Sequence, residues 1–305
     1  MKVGFKTGPK TWPEGKEIIN RLGARYCELW FRYDHKEKFY DVLAYLQKKK
    51  VNTGLHFWAM LPDGIFPNLA FDSAKLVEQT REFIKGTIDI AARYHCHYVV
   101  VHPGSRKLIE IDLEKNEQQI KSEKITPLDL SNKVLFENCF LLDRYAQKRG
   151  VLFLMETILK LEPTVFYTEE RRLNLIKALN VNLDSLISLA RQGLLIANDL
   201  SHTAMNIITD DRQFLFEQLI IVTKKLAKQT KLLHVNTTQP PFNGVDTHNG
   251  ILLEDFEKGV FPNREQLKKI LALFKNRDDV WLIPEPLEKM GENYLALKKL
   301  VEEIC

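Results

Sequence analysis

Eight short apolar segments recur along the 305-residue chain, each followed by a longer stretch of mixed polarity. They fall at residues 2–6, 25–31, 52–58, 97–101, 151–155, 194–198, 232–236 and 280–284. Strands with no polar face must be covered on both sides, as in a parallel sheet packed against its own helices. Between them, residues 75–93, 132–149, 211–228 and 264–274 repeat apolar side chains at helical spacing. Asn132 and Asp211 stand where helix N-caps are expected, and Gly150 where a helix should stop. Eight such units either close into a barrel or open into a doubly wound sheet. No Gly-x-Gly-x-x-Gly loop follows the first strand, which weighs against a dinucleotide fold. The expectation is an α/β chain folded as a (β/α)8 TIM barrel, with residues 1–305 forming one domain.

One connection is out of scale. Residues 106–127 follow the fourth strand and are rich in Lys, Glu and Gln, which predicts a long polar loop on the active face. The formal charge of +4 permits an anionic partner without demanding one. The 4 cysteines form no Cys-x-x-Cys pair, as expected of reduced thiols in a cytoplasmic protein. No apolar run reaches the roughly 18 residues of a membrane span, so no membrane partner is expected.

In a barrel the active site lies at the C-terminal ends of the strands. His56 stands near the end of the third segment, His102 after the fourth, and Glu156 after the fifth. Asp199 and His202 follow the sixth, His234 lies in the seventh, and Glu285 follows the eighth. The connection after the seventh adds Asp246 and His248. Each residue alone has a bland explanation: Asp199 could cap the next helix, and 246–250 could be an ordinary turn. Together they include five of the 8 histidines beside several carboxylates on one rim. Carboxylates converging at a buried mouth need a cation or raised pKa values. A mixed nitrogen and oxygen set suits zinc or manganese.

These residues carry a resemblance. His102-Pro103-Gly104-Ser105, Asp199-Leu200-Ser201-His202, His234-Val235-Asn236 and Asp246-Thr247-His248 are similar to motifs of the xylose-isomerase-like barrels, and most of all to the endonuclease IV family. That resemblance implies a zinc-dependent phosphodiesterase that cuts DNA at abasic sites, with up to three metals. His56, His102 and Glu156 would hold the first. Glu156 would bridge to a second, completed by Asp199, His234 and Glu285. His202, Asp246 and His248 would hold the third. Such a cluster supplies a metal-bound hydroxide and neutralises phosphate oxygens, with Glu156 and Glu285 as the catalytic carboxylates. Arg32, Trp58 and Asn236 are candidate substrate contacts: a cation for phosphate, a ring for stacking and a polar group beside His234. The chain departs from the family at its first strand, Val3-Gly4-Phe5-Lys6, and after Glu156, where Thr157-Ile158-Leu159-Lys160 follows.

The rival reading is a divalent-metal-dependent sugar or sugar phosphate isomerase or epimerase of the same superfamily. Gly23-Ala24-Arg25-Tyr26-Cys27-Glu28-Leu29 is similar to the second strand of those enzymes. They need one metal, held by residues corresponding to Glu156, Asp199, His234 and Glu285, and the two glutamates shuttle a proton beside a carbonyl. His56, His102, Asp246 and His248 are then left without a role.

Overall fold

The computed structural model describes residues 1–112, 117–160, 162–163, 175–176, 179–242, 244 and 247–304. Eight parallel staves close into a barrel. The first is split at Gly4 into Lys2–Val3 and Phe5–Thr7. The others are Tyr26–Arg32, Asn52–Trp58, Tyr98–Val101, Leu152–Glu156, Leu195–Asp199, Thr230–His234 and Trp281–Ile283. Lys2–Val3 pairs with the eighth stave and Phe5–Thr7 with the second, so the broken stave joins the two ends of the sheet. Gly4 permits this: a Cβ there would lie 2.6 Å from the Tyr26 carbonyl oxygen and 2.7 Å from the Ile283 side chain.

Helices follow the staves around the outside. Ser73 caps Ala74–Arg93 by accepting from the Leu76 amide, and that helix turns Leu76, Ile84, Ile88 and Ala91 inward. Asp211 caps Arg212–Leu226 as the sequence predicts, accepting from the Gln213 and Phe214 amides. The helix expected from residue 132 instead begins four residues earlier and runs Leu128–Gln147, just after Pro127. Asn132 therefore lies within its body, where it accepts from the Ser185 hydroxyl.

Residues 106–127 are not only a polar loop. Ile109–Asp112 and Glu117–Ile120 pair as an antiparallel hairpin, and Ile109 and Ile111 bury themselves against Trp58, Met60 and Phe66. Alternation of Ile with Glu110 and Asp112 gives this hairpin one apolar face.

The inside of the barrel is layered. Its lower part is an apolar plug containing Tyr98, Val100, Leu154, Ala197, Leu232, Trp281 and Ile283. Tyr98 meets Trp281 edge-on at 5.1 Å between ring centroids. The ring fits because residue 54 is glycine; a Cβ there would fall 2.0 Å from the Tyr98 ring. Gly54→Ala should therefore destabilise the protein by about 1–3 kcal/mol through overpacking. Urea denaturation checks this, and an unchanged midpoint would mean that the ring is not held there.

Candidate metal centre

Directly above the apolar plug, the inward-facing residues turn polar. Period-two alternation sends Lys6, Glu28, His56, Glu156, Asp199 and His234 into the barrel, with Lys6 opposite Glu28 and Asp199 opposite His234 in register. Glu285 joins them just past the eighth stave. Glu28, His56, Glu156, Asp199, His202, His234 and Glu285 are all buried, while His102 is half-buried at the mouth.

Glu156 lies at the centre. Its Oε2 is 3.1 Å from His56 Nε2 and 3.0 Å from His102 Nε2; its Oε1 is 2.9 Å from His234 Nδ1. His234 Nδ1 also lies 3.7 Å from Asp199 Oδ2, and His234 Nε2 lies 3.1 Å from Glu285 Oε1. Donor atoms of His56, His102 and Glu156 thus form one compact set, and those of Glu156, Asp199, His234 and Glu285 a second. His102 Nε2 and Glu156 Oε2 are buried, close together and yet outside hydrogen-bond geometry. Two buried polar atoms facing one another in this way fit a shared cation between them.

Asp199 has a double role. Its Oδ1 caps the short helix Leu200–Ala204 by accepting from the His202 amide, and its Oδ2 faces His234. Asn236 is fully buried and donates to that same Oδ2 at 3.1 Å, so it holds Asp199 in place. His202 Nδ1 lies 2.8 Å from the Thr157 carbonyl, which can only accept; the hydrogen is therefore on Nδ1. The His202 and His248 rings stand 6.1 Å apart, and His248 has a left-handed φ of 43°. Asp246 lies outside the described residues.

Two members of the site escaped the sequence-based choice of site residues: Lys6 and Glu28. Glu28 Oε1 lies 3.2 Å from His56 Nδ1 and 3.0 Å from His234 Nε2, and its Oε2 accepts from the Tyr98 hydroxyl at 2.8 Å. One carboxylate thereby touches the rear nitrogens of two histidines whose front nitrogens face Glu156. Lys6 Nζ forms an ion pair with Glu285 and lies 2.5 Å from His56 Nδ1. The signal available was parity: Lys6, Glu28 and His56 lie on the inward-facing side of neighbouring strands.

Farther out, Trp30 and Trp58 meet at 5.7 Å. Arg32 lies 4.8 Å over the Trp58 ring and is paired with Asp34, so both candidate substrate contacts already have protein neighbours.

The electrostatics follow from burial beside opposite charge. Burial would raise the Glu156 pKa, but His56, His102 and His234 hold it well below the usual carboxylate value. Glu28 is likewise lowered, with His234 and Lys6 outweighing its burial. Burial also favours the neutral acid at Glu285, yet His234 and Lys6 bring it down to about 2. Burial and Lys6 disfavour charge on His56, but Glu156 and Glu28 carry it up to about 10. His234 rises well above 6.5 despite its burial, because Glu28, Glu285 and Glu156 surround it. For His102, burial wins and lowers the pKa, so the imidazole is neutral as a metal ligand requires.

If these residues hold a divalent metal such as zinc, Glu28→Gln should weaken its binding by roughly 10–100-fold, because partners of this kind fix ligand orientation and basicity. Competition with a chromophoric chelator measures it; unchanged affinity would mean that Glu28 does not orient the histidines.

A family model for the xylose isomerase-like TIM barrel matches residues 17–300. The chain belongs to that family. Among solved structures, this xylose isomerase-like barrel is similar to a D-tagatose 3-epimerase-like protein, at 16% identity and a TM-score of 0.66, covering 100% of this chain and 98% of the other. It is also similar to endonuclease IV from Thermus thermophilus, at 16% identity and a TM-score of 0.61, covering 99% and 100%. A third likeness is to a protein of the same organism soaked with zinc chloride, at 16% identity, a TM-score of 0.61 and 99% coverage of each chain. No curated protein matches the sequence. At these identities the structural likeness shows the fold alone. The solved structures it resembles include both an endonuclease and an epimerase-like protein, so the fold is common to different chemistries. Among the described residues, no helix is long and apolar enough to cross a membrane.

Proposed function

We propose that the chain is a metal-dependent phosphodiesterase acting on DNA at abasic sites. The observation that carries this reading is the two-sided environment of Glu156, one oxygen toward His56 and His102 and the other toward His234. A carboxylate shared between two ligand sets is what a two-metal hydrolase requires. A single metal beside a proton shuttle has no use for the His56–His102 arm.

His56, His102 and Glu156 would hold one cation, and Glu156, Asp199, His234 and Glu285 another. His202 and His248, with Asp246, are the candidates for a third. Divalent cations bound there would lower the pKa of water and neutralise phosphate oxygens. The protein's own groups hold the geometry: Asn236 steadies Asp199, Glu28 steadies His56 and His234, and Tyr98 steadies Glu28. The apolar plug below excludes water and strengthens each of these interactions.

The zinc-loaded protein is expected to cut a duplex carrying one abasic site, with affinity for that duplex falling steeply as salt rises. A sugar isomerase or epimerase remains the second reading, favoured by the placement of Glu28 and Lys6 beside the set Glu156, Asp199, His234 and Glu285. If the duplex stays whole while ketoses exchange a carbon-bound proton with solvent, the second reading replaces the first.

A further inference from the structure

Among the described residues, three ligand-capable sets compete for the same side chains. Two include Glu156; the third is Glu28, His56, His234 and Glu285. His56, His234 and Glu285 each belong both to the third set and to one containing Glu156. A cation settling among Glu28 and Glu285 would therefore draw donors away from Glu156. Lys6 already occupies that flank. Its ammonium is paired with Glu285, lies 3.4 Å from Glu28 Oε1 and reaches His56 Nδ1 at 2.5 Å.

We propose that Lys6 serves as a resident cation on the Glu28 side of the site, denying that flank to metal and steering divalent ions to the Glu156 side. An ammonium is well suited to the task. It carries one positive charge on a compact donor and satisfies carboxylates by hydrogen bonding, but it offers no coordination position. Its fixed charge also repels a divalent ion placed against the same two glutamates. His56 is then left to present Nε2 toward Glu156 and His102, where the site has buried atoms without hydrogen-bond partners. Metal placement in this chain thus depends on a first-strand residue that need not itself ligate metal. The proposal rests on the two-metal reading for its consequence, but its placement claim can fail separately.

Zinc-edge anomalous diffraction from crystals of the wild type and of Lys6→Met, both soaked in zinc, separates the two. The wild type is expected to show zinc beside Glu156 and none between Glu28 and Glu285; Lys6→Met should gain zinc between those two glutamates. Lys6→Gln, which retains hydrogen bonding without the charge, should gain the same site, and it serves if the methionine variant does not fold. Zinc between Glu28 and Glu285 in the wild type, or none there in the folded variants, overturns the proposal. A gained site in the variants with no zinc beside Glu156 in the wild type supports exclusion of metal by Lys6 while overturning its steering role and the two-metal reading.

Discussion

Under the proposed function, Glu156→Gln is expected to lower cleavage of an abasic duplex by roughly 1000-fold or more, equivalent to about 4 kcal/mol of transition-state stabilisation. The substitution preserves shape and volume while removing the charge that both ligand sets share. It also turns an amide toward a region now contacted by His56 Nε2, His102 Nε2 and His234 Nδ1. A carboxylate that merely filled space would tolerate this exchange. Steady-state kinetics on an abasic duplex, together with zinc content, distinguish the possibilities. Loss of turnover with loss of bound zinc is expected; full zinc content and near-normal turnover would remove Glu156 from the centre.

The second large effect concerns stability, and its sign changes with zinc. In the metal-free protein, His56 titrates near 10 rather than at its ordinary 6.5. Its stabilising contribution is therefore complete below about pH 6.5 and is lost as pH rises toward 10. Glu285, lowered from 4.5 to about 2, contributes fully above about pH 4.5 and loses that contribution as pH falls through 2. Together these two groups favour the metal-free fold most between about pH 4.5 and 6.5. Zinc bound at the proposed centre would reverse the alkaline trend, because it takes deprotonated imidazoles and expels their protons. Two sites at about 100-fold excess over Kd would add about 5 kcal/mol, or roughly 10 °C in Tm for a chain of this size. Calorimetry should show that increment growing from pH 6 to pH 8.5 while the metal-free Tm declines. A zinc increment that shrinks over the same interval would contradict the assigned proton states.

How much of this was legible in the sequence depended on whether a signal was local. His102, Glu156, Asp199 and Glu285 follow apolar strands, and a strand end is visible from the chain itself. The resemblance to the endonuclease IV family then grouped them in two sets joined at Glu156; among the described residues the donor atoms of both sets lie close together, beside a further grouping of Glu28, His56, His234 and Glu285. Lys6, Glu28 and Tyr98 were harder to identify because their meeting depends on parity and register among staves far apart in the chain. A lysine after Val3-Gly4-Phe5 reads as a departure from the family pattern until the barrel closes it onto Glu285. The hairpin within residues 106–127 was hidden by charge: Ile109 and Ile111 are only two side chains, and the face they cover comes from residues 58–66. The displaced helix start at Leu128 reflects a similar limit, since Asn132 has the right chemistry for a cap but its partner is Ser185. Asp199 shows how a bland reading and a functional one can both apply, because its two oxygens perform different tasks.

The most direct test is zinc K-edge absorption on protein loaded with zinc and freed of excess, with metal content measured on the same sample. A shared Glu156 predicts at least two zinc ions per chain and a metal–metal scattering path that disappears in Glu156→Gln. One zinc per chain, in a site of mixed nitrogen and oxygen ligands with no metal–metal path, would contradict the two-metal centre and leave the single-metal sugar chemistry in its place.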